Sequence, residues 1–92
     1  MIQYTLYTED TNAIELQELA GKYFEAFTMY RADGYWKGTK EPALVIVIMG
    51  AFEDGPIIAK LSKDICDMNE QESVIIATAT LDMMEYGPRR KA

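Results

Sequence analysis

The segment Arg31-Ala32-Asp33-Gly34-Tyr35-Trp36-Lys37-Gly38-Thr39-Lys40-Glu41-Pro42 gathers residue types that bind anions. It holds the only tryptophan and three of the six basic residues outside the C-terminal tail. Tyr35 and Trp36 offer flat faces for stacking, and Arg31, Lys37 and Lys40 offer positive charge. Gly34 and Gly38 let backbone N–H groups approach a phosphate. Glu41 adds an acceptor that can orient a ligand donor. Arg31, Tyr35, Trp36, Lys37, Lys40 and Glu41 are therefore the candidate ligand-binding set, with a nucleotide or another anionic metabolite as the ligand class. The same residues also have a purely structural use. The two aromatics can pack on a sheet edge or a neighbouring subunit, with the lysines as solvated edge gatekeepers. Neither a GxxxxGK[ST] nor a GxGxxG spacing occurs in the segment.

Other chemistry is narrowed by composition. The chain has no histidine, which removes Ser-His-Asp and Cys-His catalysis, His-ligated zinc and histidine pH switching. Cys66 is the only cysteine, so no disulfide forms within one chain. It reads as a semi-buried, inert thiol with no base beside it, and a lone thiol agrees with a reducing compartment. Asp64, Asp67, Glu70 and Glu72 lack EF-hand spacing and read as a solvated face. No catalytic residue, metal ligand or cofactor is assigned.

The net charge is −6 over 92 residues, which disfavours duplex nucleic acid and anionic membranes as partners. No stretch approaches the ~20 apolar residues of a membrane span. The start, Met1-Ile2-Gln3-Tyr4, lacks the pattern of a signal peptide. The cytoplasm is the expected location, that of the host if the gene is viral. Residues 87–92 carry Arg89, Arg90 and Lys91 and read as a basic tail. The remaining body holds six basic against fifteen acidic residues, about −9. The tail serves solubility or docks an acidic partner.

The elements that must position these residues follow from periodicity. Ile2, Tyr4 and Leu6 alternate with Gln3, Thr5 and Tyr7, a strand pattern. Asn12 and Glu15 have capping-box spacing, and Leu16, Leu19, Ala20 and Tyr23 follow as a helical stripe over about 12–24. Phe27 to Asp33 alternates again, and Gly34 to Pro42 is a hairpin connection or an extended loop. Leu44-Val45-Ile46-Val47-Ile48-Met49 is the most apolar strand. Asp54 or Gly55, with Pro56, can open a second helix whose stripe is Ile57, Ile58, Leu61, Ile65 and Met68. Asn69 is its expected stop, and Ser73 to Leu81 is a fourth strand. This order is βαββαβ, an α+β, ferredoxin-like domain over residues 1–86. Two right-handed crossovers put both helices on one face of a four-stranded antiparallel sheet of order 4-1-3-2.

Both sides of the third strand are aliphatic, although helices can cover only one. A face this apolar is rarely left bare by a monomer. A chain this short also buries only roughly 60–65% of its unfolded surface. Self-association is therefore expected, as a dimer or a trimer. The alternative cover is the segment Leu81-Asp82-Met83-Met84-Glu85-Tyr86 folded back over the sheet.

Tyr35, Trp36, Gly38 and Glu41 carry a family resemblance. An aromatic-aromatic-x-Gly stretch before a hydrophobic third strand, with an acidic residue ahead of it, resembles CutA-like chains of the PII-like superfamily. The layout resemblance spans most of the chain and the motif about eight residues. It implies a compact trimer and a nucleotide site at an inter-subunit cleft near Arg31, Trp36, Lys37 and Lys40. The chain differs from PII proteins in lacking their longer loop, and from CutA-like chains in lacking histidine and a clear metal-binding cysteine.

The resulting expectation is a small, self-associating, non-catalytic, PII-like binding or regulatory protein. A rival reading is a phage-type inhibitor or sponge that blocks a host defence protein or sequesters a nucleotide signal. A third is a small ferredoxin-like dimeric enzyme using Tyr, Asp or Glu in acid–base chemistry.

Overall fold

The computed structural model describes residues 1–82. Strand β1 (Ile2–Glu9), helix α1 (Ala13–Tyr23), strands β2 (Thr28–Trp36) and β3 (Thr39–Gly50), helix α2 (Gly55–Asn69) and strand β4 (Ile75–Thr80) follow in order. A single 3₁₀ turn, Phe52–Asp54, leads into α2. The sheet is antiparallel in the order β2-β3-β1-β4. This is the expected ferredoxin-like α+β arrangement, with the aliphatic third strand inside. Residues 83–92, which include most of the alternative cover and the whole basic tail, lie outside the described residues.

The core lies between the helices and one sheet face. Tyr4, Leu6, Leu44, Ile46 and Ile48 meet Leu16 of α1 and Ile58, Leu61 and Ile65 of α2, and all are buried. The stripe on α2 is narrower than the sequence suggests. Ile57 and Met68 are exposed, and Ser62 takes a buried place, its hydroxyl donating to the Ile58 carbonyl at 2.9 Å. A helix of this length on a small sheet has only about one row in full contact, so the flanking apolar positions stay at the margin.

The caps also differ from the capping-box expectation. Asn12 precedes α1, but its side chain does not cap it. Its amide instead donates to Asn69 Oδ1 at 2.8 Å and reaches the Met68 carbonyl, joining the start of α1 to the end of α2. Asp54 precedes α2 without a side-chain bond into the helix. Its carboxylate accepts the Ala51 N–H at 2.8 Å and closes the 3₁₀ turn. Helix α2 ends after Asn69, as expected, with Glu70 in the left-handed conformation at φ 54°.

Residues 34–42 take the hairpin alternative rather than the extended loop, with both strands running well into the segment. Strand β2 runs to Trp36 and β3 begins at Thr39, joined by Lys37 and Gly38 alone. Both turn residues have positive φ, 49° and 79°, the geometry of a type I′ turn that matches strand twist. Strand β1 pairs with β3 only from Ala43 to Gly50. Residues 39–42 thus pair with β2 alone, as a two-stranded ribbon projecting about 13 Å past the sheet. The molecule is correspondingly long, 46 × 25 × 24 Å.

Candidate functional site

The ribbon carries every candidate ligand residue but divides them between two sides. In the β2–β3 register Arg31 lies opposite Leu44, Asp33 opposite Pro42 and Tyr35 opposite Lys40. Leu44 faces the core, so alternation puts Arg31, Asp33, Tyr35 and Lys40 on the helix side. Trp36 lies opposite Thr39 and Gly34 opposite Glu41, which puts Trp36 and Glu41 on the helix-free side. Adjacent in sequence, Tyr35 and Trp36 therefore face opposite ways. Both are largely exposed, at 69% and 64%.

The charges are partly engaged. The Arg31 Nε–H donates to Asp10 Oδ2 at 2.8 Å, tying the root of the ribbon to the end of β1. The adjoining Asp10 N–H donates to the Pro42 carbonyl at 3.3 Å. Lys40 Nζ stands 3.4 Å from Asp33 Oδ1, a solvent-exposed pair of small energetic weight. Lys37, at the tip, holds its ammonium 5.6 Å from the Trp36 ring centroid. Glu41 borders a shallow surface with Glu9, Glu70 and Glu72, whose sign is wrong for an anion. Within one chain the candidate residues form an exposed stacking and charge-bearing rim, not an enclosed cleft.

The helix-free sheet face extends this rim. Its residues form four rows across the sheet: Ala32-Ala43-Glu9, Tyr30-Val45-Tyr7-Ile75, Thr28-Val47-Thr5-Ala77 and Met49-Gln3-Ala79. Of these fourteen residues only Glu9, in the row next to the ribbon, is charged. Val45 is buried in register between Tyr7 and Tyr30, whereas Tyr7, Tyr30, Met49 and Ile75 are exposed.

A feature that sequence reasoning did not single out lies at the other end. Ile2, Tyr4, Phe52, Gly55, Pro56, Thr78, Ala79 and Thr80 line a mostly apolar groove of about 520 Å³. It wraps the free edge of β4 beside the start of α2. The Tyr4 hydroxyl donates to the Ala51 carbonyl at 2.7 Å and fixes the floor. Phe52 stands 82% exposed on its rim. The available sequence signal was Gly50-Ala51-Phe52-Glu53-Asp54, where an aromatic interrupts a polar turn.

Away from these regions, the acidic positions of α2 have local partners. Asp64 accepts the Tyr23 hydroxyl, and Asp67 pairs with Lys63 at 3.0 Å. Among the described residues no three Cys, Asp or Glu side chains converge as a metal site. No helix among them is long and apolar enough to cross a membrane.

No family model matches the chain, and no curated protein matches it in sequence. Solved structures do match its fold. The PII-like protein CutA from Nostoc sp. PCC 7120 aligns with a TM-score of 0.62 at 12% identity, over 89% of this chain and 82% of that one. CutA1 from Pyrococcus horikoshii OT3 aligns with a TM-score of 0.53 at 13% identity, over 92% and 87%. The de novo designed protein Foldit4 aligns with a TM-score of 0.52 at 9% identity, over 88% and 96%. The chain is thus a small protein with a PII-like, CutA-like fold, reached at very low sequence identity.

Proposed function

We propose that this chain is a non-catalytic binding or regulatory protein of the PII-like kind that works as a homo-oligomer. The observation that carries the reading is the largely apolar helix-free face, fourteen residues in four rows with Glu9 as their one charge, which continues onto a projecting ribbon tipped with exposed aromatics and lysines. Burying that face between copies removes apolar surface from water, the main driving force of association. The ribbon then stands beside a neighbouring subunit and forms one wall of an anion site that a single chain leaves open.

In this reading the ligand is a nucleotide or another anionic metabolite. Tyr35 gives the stacking face on the helix side, with Lys40 and Arg31 as its charges. Trp36 and Lys37 close the tip, and Glu41 orients a donor from the other side. Within one chain Arg31 and Lys40 have carboxylate neighbours, and Lys37 stands by the Trp36 ring instead.

Light scattering at micromolar concentration, paired with nucleotide titrations, tests both halves. The expected mass is a multiple of 10.4 kDa, and Trp36 fluorescence should saturate below about millimolar nucleotide. A monomer mass refutes the assembly. Failure of any nucleotide to bind in that range, with Trp36→Ala altering stability alone, refutes the ligand site.

A further inference from the structure

The two ends of the long axis are complementary. The ribbon tip lies past the Glu9 end of β1, and the apolar groove lies at its Ile2 end, roughly 36 Å away along β3. The tip presents a large, mostly exposed indole. The groove presents an apolar concavity with an exposed phenyl on its rim. Charge matches as well. The six tip residues 35–40 include Lys37 and Lys40 and no acid, whereas Glu53 and Asp54 follow Phe52 directly at the groove. One copy cannot bring its own tip to its own groove, because the sheet separates them.

We infer that the groove of one copy receives the hairpin tip of the next. The Trp36 indole enters between Phe52, Pro56 and Ile2, and Lys37, beside it at the tip, faces Glu53 and Asp54. The contact is head-to-tail, so it closes into a ring when the rotation between copies allows. It rests on the homo-oligomer proposed above and adds a second contact between copies to the one through the helix-free face. The Tyr35 side of the ribbon stays open to ligand in this arrangement.

The test is a pairwise cross-link between full-length chains. Two preparations, each carrying Cys66→Ser to remove the native thiol, bear Lys37→Cys or Glu53→Cys. They are mixed, oxidised and run on a non-reducing gel. Seating of tip in groove raises the local thiol concentration, so Lys37→Cys should couple to Glu53→Cys at least about tenfold faster than to itself. In parallel, Phe52→Glu, at an exposed position that the core does not need, should weaken assembly and shift Trp36 emission to the red. An assembled mass with indiscriminate cross-linking, or Trp36 emission unmoved by Phe52→Glu, overturns the tip-in-groove contact while leaving the oligomer standing. A monomer mass overturns both.

Discussion

Tyr23 closes α1 against α2 by donating its phenol proton to Asp64. That bond, reinforced by desolvation and by the Asp64 charge, raises the phenol above its usual ionisation range. The bond exists only while the phenol is protonated. Its contribution to stability is therefore complete below about pH 10, the unfolded value, and is lost as pH rises through the higher folded value. Lys60 Nζ lies 5.9 Å from the centroid of the same ring. The difference between alkaline ultraviolet titrations of the native chain and Tyr23→Phe should isolate one phenol with a midpoint above the ordinary value. Asp64→Asn should bring that midpoint down. A Tyr23 midpoint at the ordinary phenol value would show that the bond does not persist in solution.

At the scale of elements, three described residues have left-handed backbone, Lys37, Gly38 and Glu70, and the last two respond to substitution in opposite ways. Gly38 sits in the hairpin turn at φ 79°, and a Cβ there would meet open space. Gly38→Ala should therefore cost only backbone strain, about 1 kcal/mol, concentrated in the ribbon. Glu70 ends α2 at φ 54°, where its own Cβ is already disfavoured. Glu70→Gly should stabilise the chain by about 0.5–1 kcal/mol, since relief of strain outweighs the added unfolded-state freedom. Chemical denaturation of both variants checks the two signs, and equal signs would contradict the turn geometry.

These elements also show what periodicity could and could not reveal. The aliphatic run at Leu44–Met49 marked the central strand because its core side and its helix-free side are both apolar, which suppresses alternation. The buried rows of α1 and α2 were legible at helical spacing. The ribbon was not, because both its sides are wet and no burial imposes a period of two. Residues 34–42 therefore read equally well as hairpin or loop. The register that separates Tyr35 from Trp36 depends on a two-residue turn whose first position, Lys37, is an unusual occupant of positive φ. Asn12 carried a capping signal and was drawn instead to the end of α2, a long-range partner that local spacing does not encode. The groove beside Phe52 was hidden for the same reason, since residues 2–4, 52–56 and 78–80 meet only in the fold.

For the whole molecule, the helix-free sheet face decides between isolation and assembly. Its rows contain one charge, Glu9 at the ribbon end, and their apolar members are held in place by the strand register rather than by any cover among the described residues. Met49 and Ile75 stand at the exposed margin of this face, at 44% and 65% exposure. Placing glutamate at both should barely affect the isolated fold, because substitutions at exposed sites usually stay within about 0.5 kcal/mol. In an assembly through the face, the same pair would bury two carboxylates without partners, a penalty of several kcal/mol per charge. The double variant Met49→Glu, Ile75→Glu should accordingly run as a 10.4 kDa monomer with native circular dichroism. Salt separates the two contacts proposed between copies. Raising ionic strength from about 0.1 to 1 M shortens the screening length from about 10 to 3 Å. That should loosen the lysine–carboxylate part of the tip contact and leave the apolar face intact. Mass should then hold at high salt in the native chain and fall only in the glutamate variant. Retention of the oligomer by that variant would move the interface elsewhere, to the free edges of β2 and β4.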